Sequence, residues 1–224
     1  MSKHAKTIVN AIINATPDGI NKLYYLEVGT GSWGHTFWKI NCKQKTAVDI
    51  IKKDILKTVP EVGPQGGRNM SLHDDYWDCG SDEFFNTEGK ERRWDIIFID
   101  GDHEYSQVVR DVNSALKRAK IVLVHDLIPP RENLARNHPT IKGMWSGDGY
   151  KLLYYIREVG FEHISLNEDY GLTLITNPPN PGFVPYDEIA DITYEQFSAQ
   201  RKKNKEYTAQ EMITKAIQAY KGIE

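Results

Sequence analysis

The stretch Leu26-Glu27-Val28-Gly29-Thr30-Gly31-Ser32-Trp33-Gly34 decides the fold, because it has the pattern of a strand that ends in a tight, glycine-rich turn. The residues before the turn, 23–28, form a short apolar run of the kind that builds buried strands. The spacing Gly-x-Gly-x-x-Gly allows a close approach of the backbone to a ligand and predicts a helix start after the turn. A turn that is flexible but binds no ligand could have the same glycine spacing. The surrounding sequence is therefore needed to distinguish the two.

Outward from this turn, apolar runs alternate with amphipathic stretches. Further runs lie at residues 45–49, 95–100 and 120–125. Residues 103–119 place apolar side chains on one helical stripe. This alternation predicts an α/β, doubly wound (Rossmann-like) fold with a mostly parallel, seven-stranded sheet. The last two runs, 161–166 and 171–176, are joined by so short a turn that they predict a terminal antiparallel hairpin.

The chain of 224 residues has the length of one domain with added segments. We expect the domain to span residues 1–176, with an N-terminal helix at 1–18 and a lid-like insertion at 127–148 that is rich in proline and glycine. Residues 177–224 are expected to form a Pro-rich linker and a C-terminal helical extension. Two capping boxes open its helices, Thr193-Tyr-Glu-Gln196 and Thr208-Ala-Gln-Glu211. The apolar face of the last helix can dock on the domain or on a second subunit, so a homo-oligomer through the terminal helices is one expectation.

Composition excludes several classes of protein. The net charge of -3 gives no support to a nucleic-acid-binding surface. No apolar run approaches the roughly 20 residues that a membrane span needs, and no cleavage site follows the first apolar run, so we expect neither a membrane segment nor a signal peptide. Two cysteines, Cys42 and Cys79, do not make a disulfide framework, which favours a reducing, cytoplasmic location.

The glycine turn fits two classes of ligand, dinucleotides and S-adenosylmethionine. Asp49 ends the next strand, where a carboxylate can bind both hydroxyls of a ribose. Glu27 just before the first glycine would repel a pyrophosphate but would suit the cationic amino group of a methionine. The pattern therefore favours S-adenosylmethionine, with an NAD(P)-dependent oxidoreductase as the alternative.

Carboxylates end two further strands, Asp100 and Asp126. If these strands are parallel neighbours, their ends lie about 4.8 Å apart, and both carboxylates can share one divalent cation such as Mg²⁺. Asp100 and Asp102 can instead cap the following helix, although capping does not explain Asp126. His103 lies one helical turn beyond Asp100 and is suited to act as a general base, while a surface or capping role is the simpler alternative.

At this point the sequence resembles class I S-adenosylmethionine-dependent methyltransferases. More narrowly, it resembles the family of macrocin-type sugar O-methyltransferases and cephalosporin-hydroxylase-like proteins, distantly related to catechol O-methyltransferase. The resemblance covers about residues 22–176. Its motifs are Glu27-Val-Gly-Thr-Gly31, Gly80-Ser-Asp-Glu-Phe-Phe85, Phe98-Ile-Asp-Gly-Asp-His-Glu-Tyr105 and Val124-His-Asp126.

The resemblance implies a metal-assisted O-methyltransferase whose acceptor is a small molecule or a sugar hydroxyl. Asp100 and His103 would be catalytic, with His103 as the base. The cofactor would be held by Glu27, Gly29, Gly31, Asp49, Ser81, Asp82 and Asp100. Ser81 or Asp82 can alternatively cap a short helix. A further alternative, from a different functional class, is a module that binds the cofactor with the same fold but does not catalyse a reaction.

Two details of the resemblance concern the metal ligands and the pocket for the methyl acceptor. Relatives often have a second carboxylate or an amide next to the Asp126 position, where this chain has His125 and Leu127. The metal ligands would then be Asp100 and Asp126, with the third either missing or supplied by His125. The motif Trp145-Ser-Gly-Asp148-Gly-Tyr-Lys151 is expected to close one side of the acceptor pocket, or to be a loop with a helix cap at Asp148.

Overall fold

A computed structural model of the chain describes residues 3–16, 22–31, 36–51, 75–136, 145–176, 189–202 and 205–222. The described strands are β1 (Tyr24–Val28), β2 (Gln44–Val48), β3 (Asp75–Trp77), β4 (Trp94–Ile99), β5 (Ala119–His125), β6 (His163–Leu166) and β7 (Leu172–Ile175). The described helices are α1 (Lys3–Ala15), α2 (Ser81–Asn86), α3 (Tyr105–Leu116), α4 (Tyr150–Val159), α5 (Tyr194–Arg201) and α6 (Ala209–Lys221). Two short 3₁₀ helices lie at Phe37–Lys39 and Glu132–Leu134.

The strands form one seven-stranded sheet in the order β3-β2-β1-β4-β5-β7-β6. The first five strands of this order are parallel, while β7 is antiparallel to both β5 and β6. This confirms the predicted doubly wound sheet with a terminal antiparallel hairpin. The chain order reverses between β1 and β4, and in such sheets the crevice beyond the carboxyl ends of these two strands is where ligands bind.

The sheet has an apolar layer on each face because successive side chains of a strand point to opposite sides. In β4, Ile97 and Ile99 pack into the cluster beneath α2, α3, α4 and α5, whereas Ile96 and Phe98 pack into the cluster beneath α1 and α6. Near-continuous apolar strands are therefore what a sheet covered on both faces requires.

The segment after the glycine turn differs from the expected helix start. Residues 32–35 lie outside the described residues, and the described remainder of this connection holds the 3₁₀ helix Phe37–Lys39. The place beside β1 is taken by α1, which packs onto Tyr25 and Phe37 in the same apolar cluster. Asn10 of α1 donates to the Lys39 carbonyl at 2.9 Å and accepts from the Asn41 N–H at 3.0 Å. The N-terminal helix thus holds the short connection against the sheet.

The C-terminal helices complete the core. Both predicted capping boxes are present, at Thr193 and at Thr208. Met212 and Ala216 of α6 are fully buried against the sheet and α1, so the apolar face of this helix docks on the domain. The division of the chain at residue 176 stays a prediction. Both α5 and α6 pack on the domain that contains the sheet. Among the described residues, no helix has the length and apolar character of a membrane span.

Candidate active site

A cleft of about 800 Å³ lies at the carboxyl ends of β1, β2, β4 and β5. Most of the predicted site residues line it: Gly29, Gly31, Asp49, Ser81, Asp82, Asp100, His103, His125 and Asp126. The parallel arrangement of the strands brings these residues together from distant parts of the sequence.

The glycine turn closes one side of the cleft by direct contact between two chain segments. Gly29 has a φ of 83°, and a Cβ on it would lie 2.2 Å from the Cα of Gly101. A hydrogen bond from the Asp100 N–H to Val28 O at 2.8 Å joins the two segments, and one from the Gly29 N–H to Val48 O, also at 2.8 Å, joins the turn to the end of β2. Only glycine satisfies both the positive φ and the close approach at position 29.

Asp49 organises the same turn. Its Oδ2 accepts hydrogen bonds from the backbone N–H groups of Thr30 and Gly31, each at 2.8 Å, and its Oδ1 accepts one from Ile51 at 2.9 Å. The carboxylate lines the cleft and is largely buried. The Thr30 hydroxyl also donates to Oδ2, at 3.2 Å, whereas Oδ1 has a single donor. A carboxylate oxygen can accept from more than one donor, so Oδ1 is the oxygen of Asp49 with room for a ligand hydroxyl.

Glu27 is buried, whereas the other predicted cofactor residues line the cleft. It is not among the described residues that line the cleft, and only 1% of its surface is exposed. Its Oε2 accepts a hydrogen bond from the Tyr25 hydroxyl at 2.6 Å, and it also interacts with the Phe37 backbone N–H. Burial, aided by the charge of Asp100, raises its pKa to about 8. Its contact with a methionine amino group stays a prediction, while its described contacts join β1 to the short connection.

Ser81 and Asp82 lie at another part of the cleft wall, at the start of α2. Asp82 pairs with Arg110 of α3 at 2.9 Å. The Ser81 hydroxyl accepts a hydrogen bond from Gln107 of α3 at 3.0 Å. Both residues therefore take part in contacts between the two helices as well as lining the cleft.

Asp100, His125 and Asp126 form a compact charged group at the ends of β4 and β5. One candidate ligand atom from each residue lies within 4.8 Å of the others. His125 Nδ1 is 3.1 Å from Asp100 Oδ1 and 3.1 Å from Asp126 Oδ1. Burial disfavours the charged imidazole, but the two carboxylates outweigh it and raise the pKa of His125 well above its usual value. The protonated ring thus compensates two carboxylates that would otherwise repel each other.

His103, which lies just before α3, faces one of these carboxylates, Asp126. Its Nδ1 is 3.3 Å from Asp126 Oδ2, and its ring meets Trp145 edge-on with centroids 5.1 Å apart. Gly147 fits against the His103 backbone, since a Cβ at this position would lie 2.0 Å from the His103 carbonyl oxygen. The ring therefore has a defined orientation between Asp126 and Trp145.

The contacts of Asp102 and Asp148 bear on whether these residues cap helices. Asp102 accepts a hydrogen bond from the Glu104 N–H at 3.0 Å, in the turn just before α3, and Glu104, the N-cap residue of α3, makes no side-chain capping hydrogen bond. Asp100 faces His125. Asp148 does not cap its own helix, because its Oδ1 accepts from the Tyr105 N–H at the start of α3, at 2.7 Å. Trp145 lines the cleft, and Asp148 holds its loop against α3.

Solved structures with similar folds were found, whereas no protein-family model and no curated protein sequence matches the chain. An O-methyltransferase from Bacillus cereus in complex with SAH has a TM-score of 0.54 and 16% identity, covering 79% of this chain and 82% of that one. A candidate O-methyltransferase from Klebsiella pneumoniae has a TM-score of 0.54 and 13% identity over the same shares. The chain has the class I methyltransferase fold. A spermidine synthase from Thermotoga maritima, at a TM-score of 0.50 and 13% identity, covers 98% of this chain and 73% of its own.

Four further polar residues that line the cleft were not predicted from the sequence: Gln107, Asp111, Asp169 and Tyr170. Asp169 and Tyr170 have φ values of 51° and 63°, a conformation uncommon for residues other than glycine. The turn that contains these two residues contacts the segment that follows β5, because the Asp126 N–H donates to Gly171 O at 2.9 Å. Positive φ at non-glycine residues cannot be read from a single sequence. Gln107 and Asp111 lie beside the apolar stripe of α3, on its polar side, where a sequence pattern does not distinguish them from solvent-exposed residues.

Proposed function

We propose that the chain is an S-adenosylmethionine-dependent O-methyltransferase that acts on a hydroxyl of a small molecule or sugar with the help of a divalent cation. One observation carries the proposal: the glycine turn, Asp49 and the charged group of Asp100, His125 and Asp126 all border one cleft. A nucleoside-binding side and a side suited to hydroxyl activation thus lie next to each other.

The sheet favours this function over the NAD(P)-dependent oxidoreductase. The usual dinucleotide-binding sheet has two parallel halves in the order 3-2-1-4-5-6. Here β7 enters antiparallel between β5 and β6, as in the methyltransferase fold. The carboxylate of Glu27 no longer contributes to this choice, because its described contacts lie outside the cleft.

The glycine-turn side would hold the cofactor. Backbone groups of Gly29 and Gly31 would lie against its methionine part. Asp49 would accept the ribose hydroxyls at the free position of Oδ1 and, in place of the Thr30 hydroxyl, at Oδ2. Ser81 and Asp82 would border the adenine from the neighbouring wall. Because backbone and carboxylate are already joined, little ordering would be needed on binding.

The acidic side fits a divalent cation in its donor chemistry. Asp100 and Asp126 offer oxygens, and His125 Nδ1 would be the third donor once it has lost its proton. Cation binding and protonation of His125 would therefore compete. Oxygen donors suit Mg²⁺, while an imidazole donor suits Mn²⁺ or Zn²⁺ as well. A bound cation would supply positive charge that makes a nearby hydroxyl more acidic.

His103 would remove the proton of the acceptor hydroxyl. Because Nδ1 faces Asp126, the other ring nitrogen, Nε2, would take this proton. The acceptor oxygen would then form a bond to the methyl carbon while the carbon–sulfur bond breaks, which yields the methyl ether and S-adenosylhomocysteine. Trp145 would restrict the motion of the His103 ring during this transfer.

Isothermal titration calorimetry and a methyl-transfer assay test the proposal. We expect S-adenosylhomocysteine to bind and NAD⁺ and NADP⁺ not to bind. With a panel of hydroxylated small molecules and sugars, turnover should disappear after chelation and return with Mg²⁺ or Mn²⁺. Binding of NAD⁺ alone would contradict the proposal. Cofactor binding without turnover of any acceptor would indicate a non-catalytic module, and turnover that is unaffected by chelator would remove the cation from the proposal.

A further inference from the structure

A hydrogen-bonded network of three polar side chains lies in the wall of the cleft between α2 and α3. Gln107 Nε2 donates to Ser81 Oγ and to Asp111 Oδ1, each at 3.0 Å. Asp111 also interacts with the Ser81 hydroxyl. All three residues line the cleft, although Asp111 has only 1% of its surface exposed. A buried carboxylate in a cleft wall is costly unless its partners satisfy it.

The orientation of the Gln107 amide follows from its third contact. Arg110 donates a hydrogen bond to Gln107 Oε1. The guanidinium group can only donate, so the oxygen of the amide must face Arg110 and the nitrogen must face Ser81 and Asp111. The two hydrogens of this nitrogen are then both used within the network.

These contacts determine which hydrogen bond Ser81 has left. A hydroxyl group has one hydrogen to donate and two lone pairs to accept with. An ionised Asp111 can only accept, so the Ser81 hydrogen is directed to it, and Gln107 occupies one lone pair. The remaining capacity of Ser81 is a single acceptor site.

We propose that Gln107 and Asp111 are positioning residues that make Ser81 an acceptor-only group, so that this part of the cleft selects a ring bearing an exocyclic amino group. The inference rests on the proposed function, in which that ring is the adenine of the cofactor. A ring with an oxo group in place of the amino group presents a second acceptor to Ser81, and two acceptors without a hydrogen between them leave both unsatisfied.

The charge state of Asp111 supports this role. Burial raises the pKa of Asp111 to about 6, against the opposing effect of its hydrogen bonds with Ser81 and Gln107. The nearby charges are Asp82, which raises this pKa, and Arg110, which lowers it. At pH 8 the carboxylate is ionised and accepts.

The test compares S-adenosylhomocysteine with S-inosylhomocysteine, in which an oxo group replaces the amino group, by titration calorimetry at pH 8. The wild-type protein should favour the adenosyl ligand by at least about tenfold. Asp111→Asn should lower this preference by about tenfold, because the amide nitrogen can donate to Ser81 Oγ and turn the Ser81 hydrogen toward the ligand. Ser81→Ala should lower the preference similarly, and adding Asp111→Asn to it should change the ratio little.

Asp75→Asn is the matched control. Asp75 lies at the amino end of β3, whereas the cleft lies at the carboxyl ends of the strands, and its carboxylate pairs with Arg92. It should keep the wild-type preference. Equal weakening of both ligands by Asp111→Asn would show a structural role only and would overturn the inference. A wild-type protein that binds S-adenosylhomocysteine without discriminating would also overturn it while leaving the proposed function standing. Failure to bind S-adenosylhomocysteine at all would overturn both.

Discussion

The two sides of the cleft are built in different ways. On the proposed cofactor side, backbone groups of Gly29, Thr30 and Gly31 form the surface, and one carboxylate, Asp49, holds them. On the proposed acceptor side, the surface consists of charged side chains around Asp126, which has a φ of 62°. The first side depends on the absence of side chains, whereas the second depends on the charges that side chains carry.

This difference predicts different responses to substitution. Added atoms on the cofactor side must displace backbone, so the fold and cofactor binding should fail together. A change of charge on the acceptor side that preserves shape should remove catalysis and leave cofactor binding in place.

Gly29→Ala should have the largest effect, because its Cβ would overlap the Gly101 backbone and its φ is positive. We expect a loss of about 3–5 kcal/mol in the free energy of unfolding, measured in urea, together with loss of S-adenosylhomocysteine binding. Gly160→Ala is the matched control, since Gly160 has a φ of 73° but a Cβ there meets nothing within 4 Å. It should cost only about 1 kcal/mol. Equal costs at the two positions would refute the close-contact argument.

Asp126→Asn should lower the methyl-transfer rate by about a hundredfold and abolish the response to added Mg²⁺ or Mn²⁺. Asparagine tolerates the positive φ of this position, so the substitution changes charge with little change in shape. Calorimetry should give an unchanged affinity for S-adenosylhomocysteine. A parallel loss of cofactor affinity would mean that the two sides are not independent.

Glu27→Gln should change the pH dependence of stability. Burial raises the pKa of Glu27 to about 8 from an ordinary value of 4.5, so the folded chain keeps a proton that the unfolded chain has lost. The stabilisation is complete below pH 4.5 and is lost as the pH rises toward 8. Between pH 6 and 8 the wild-type protein should lose about 2 kcal/mol relative to the variant.

Urea unfolding at pH 6, 7 and 8 in the presence of chelator measures this difference. Asp111 has a pKa of about 6, so it contributes little in this range, and the contribution of His125 is common to both proteins and cancels. Parallel stability curves for the two proteins would show that Glu27 is ionised in the folded chain.

Thr208→Ala should have the smallest effect, because it lies outside both sides of the cleft. It removes the capping box of α6, whose Met212 and Ala216 pack in the core. We expect a loss of about 1 kcal/mol in the free energy of unfolding and no change in S-adenosylhomocysteine affinity. Thr214→Ala, at an exposed position within the same helix, should leave stability nearly unchanged. A change in cofactor affinity would contradict the separation of α6 from the site.

Much of the fold follows from local patterns in the sequence. The apolar runs around residues 23–28 and 95–100 predict strands because a sheet covered on both faces needs continuous apolar segments. The short turn before Gly171 predicts the antiparallel hairpin, and the Thr208 capping box predicts where α6 begins. The helix expected after the glycine turn was less predictable, because a distant element, α1, takes the place beside β1.

The sequence by itself determined the fold class and the types of side chain at the strand ends, since these depend on residues close together in the chain. Only the tertiary structure decided which of these side chains meet. It buried Glu27 beside Tyr25, joined His125 to Asp100 and Asp126, and placed Gln107 and Asp111 among the residues that line the cleft. Several of these contacts join residues far apart in the chain, such as Asp100 with His125 and Ser81 with Gln107. They depend on strand order and side-chain direction, which a local pattern does not specify.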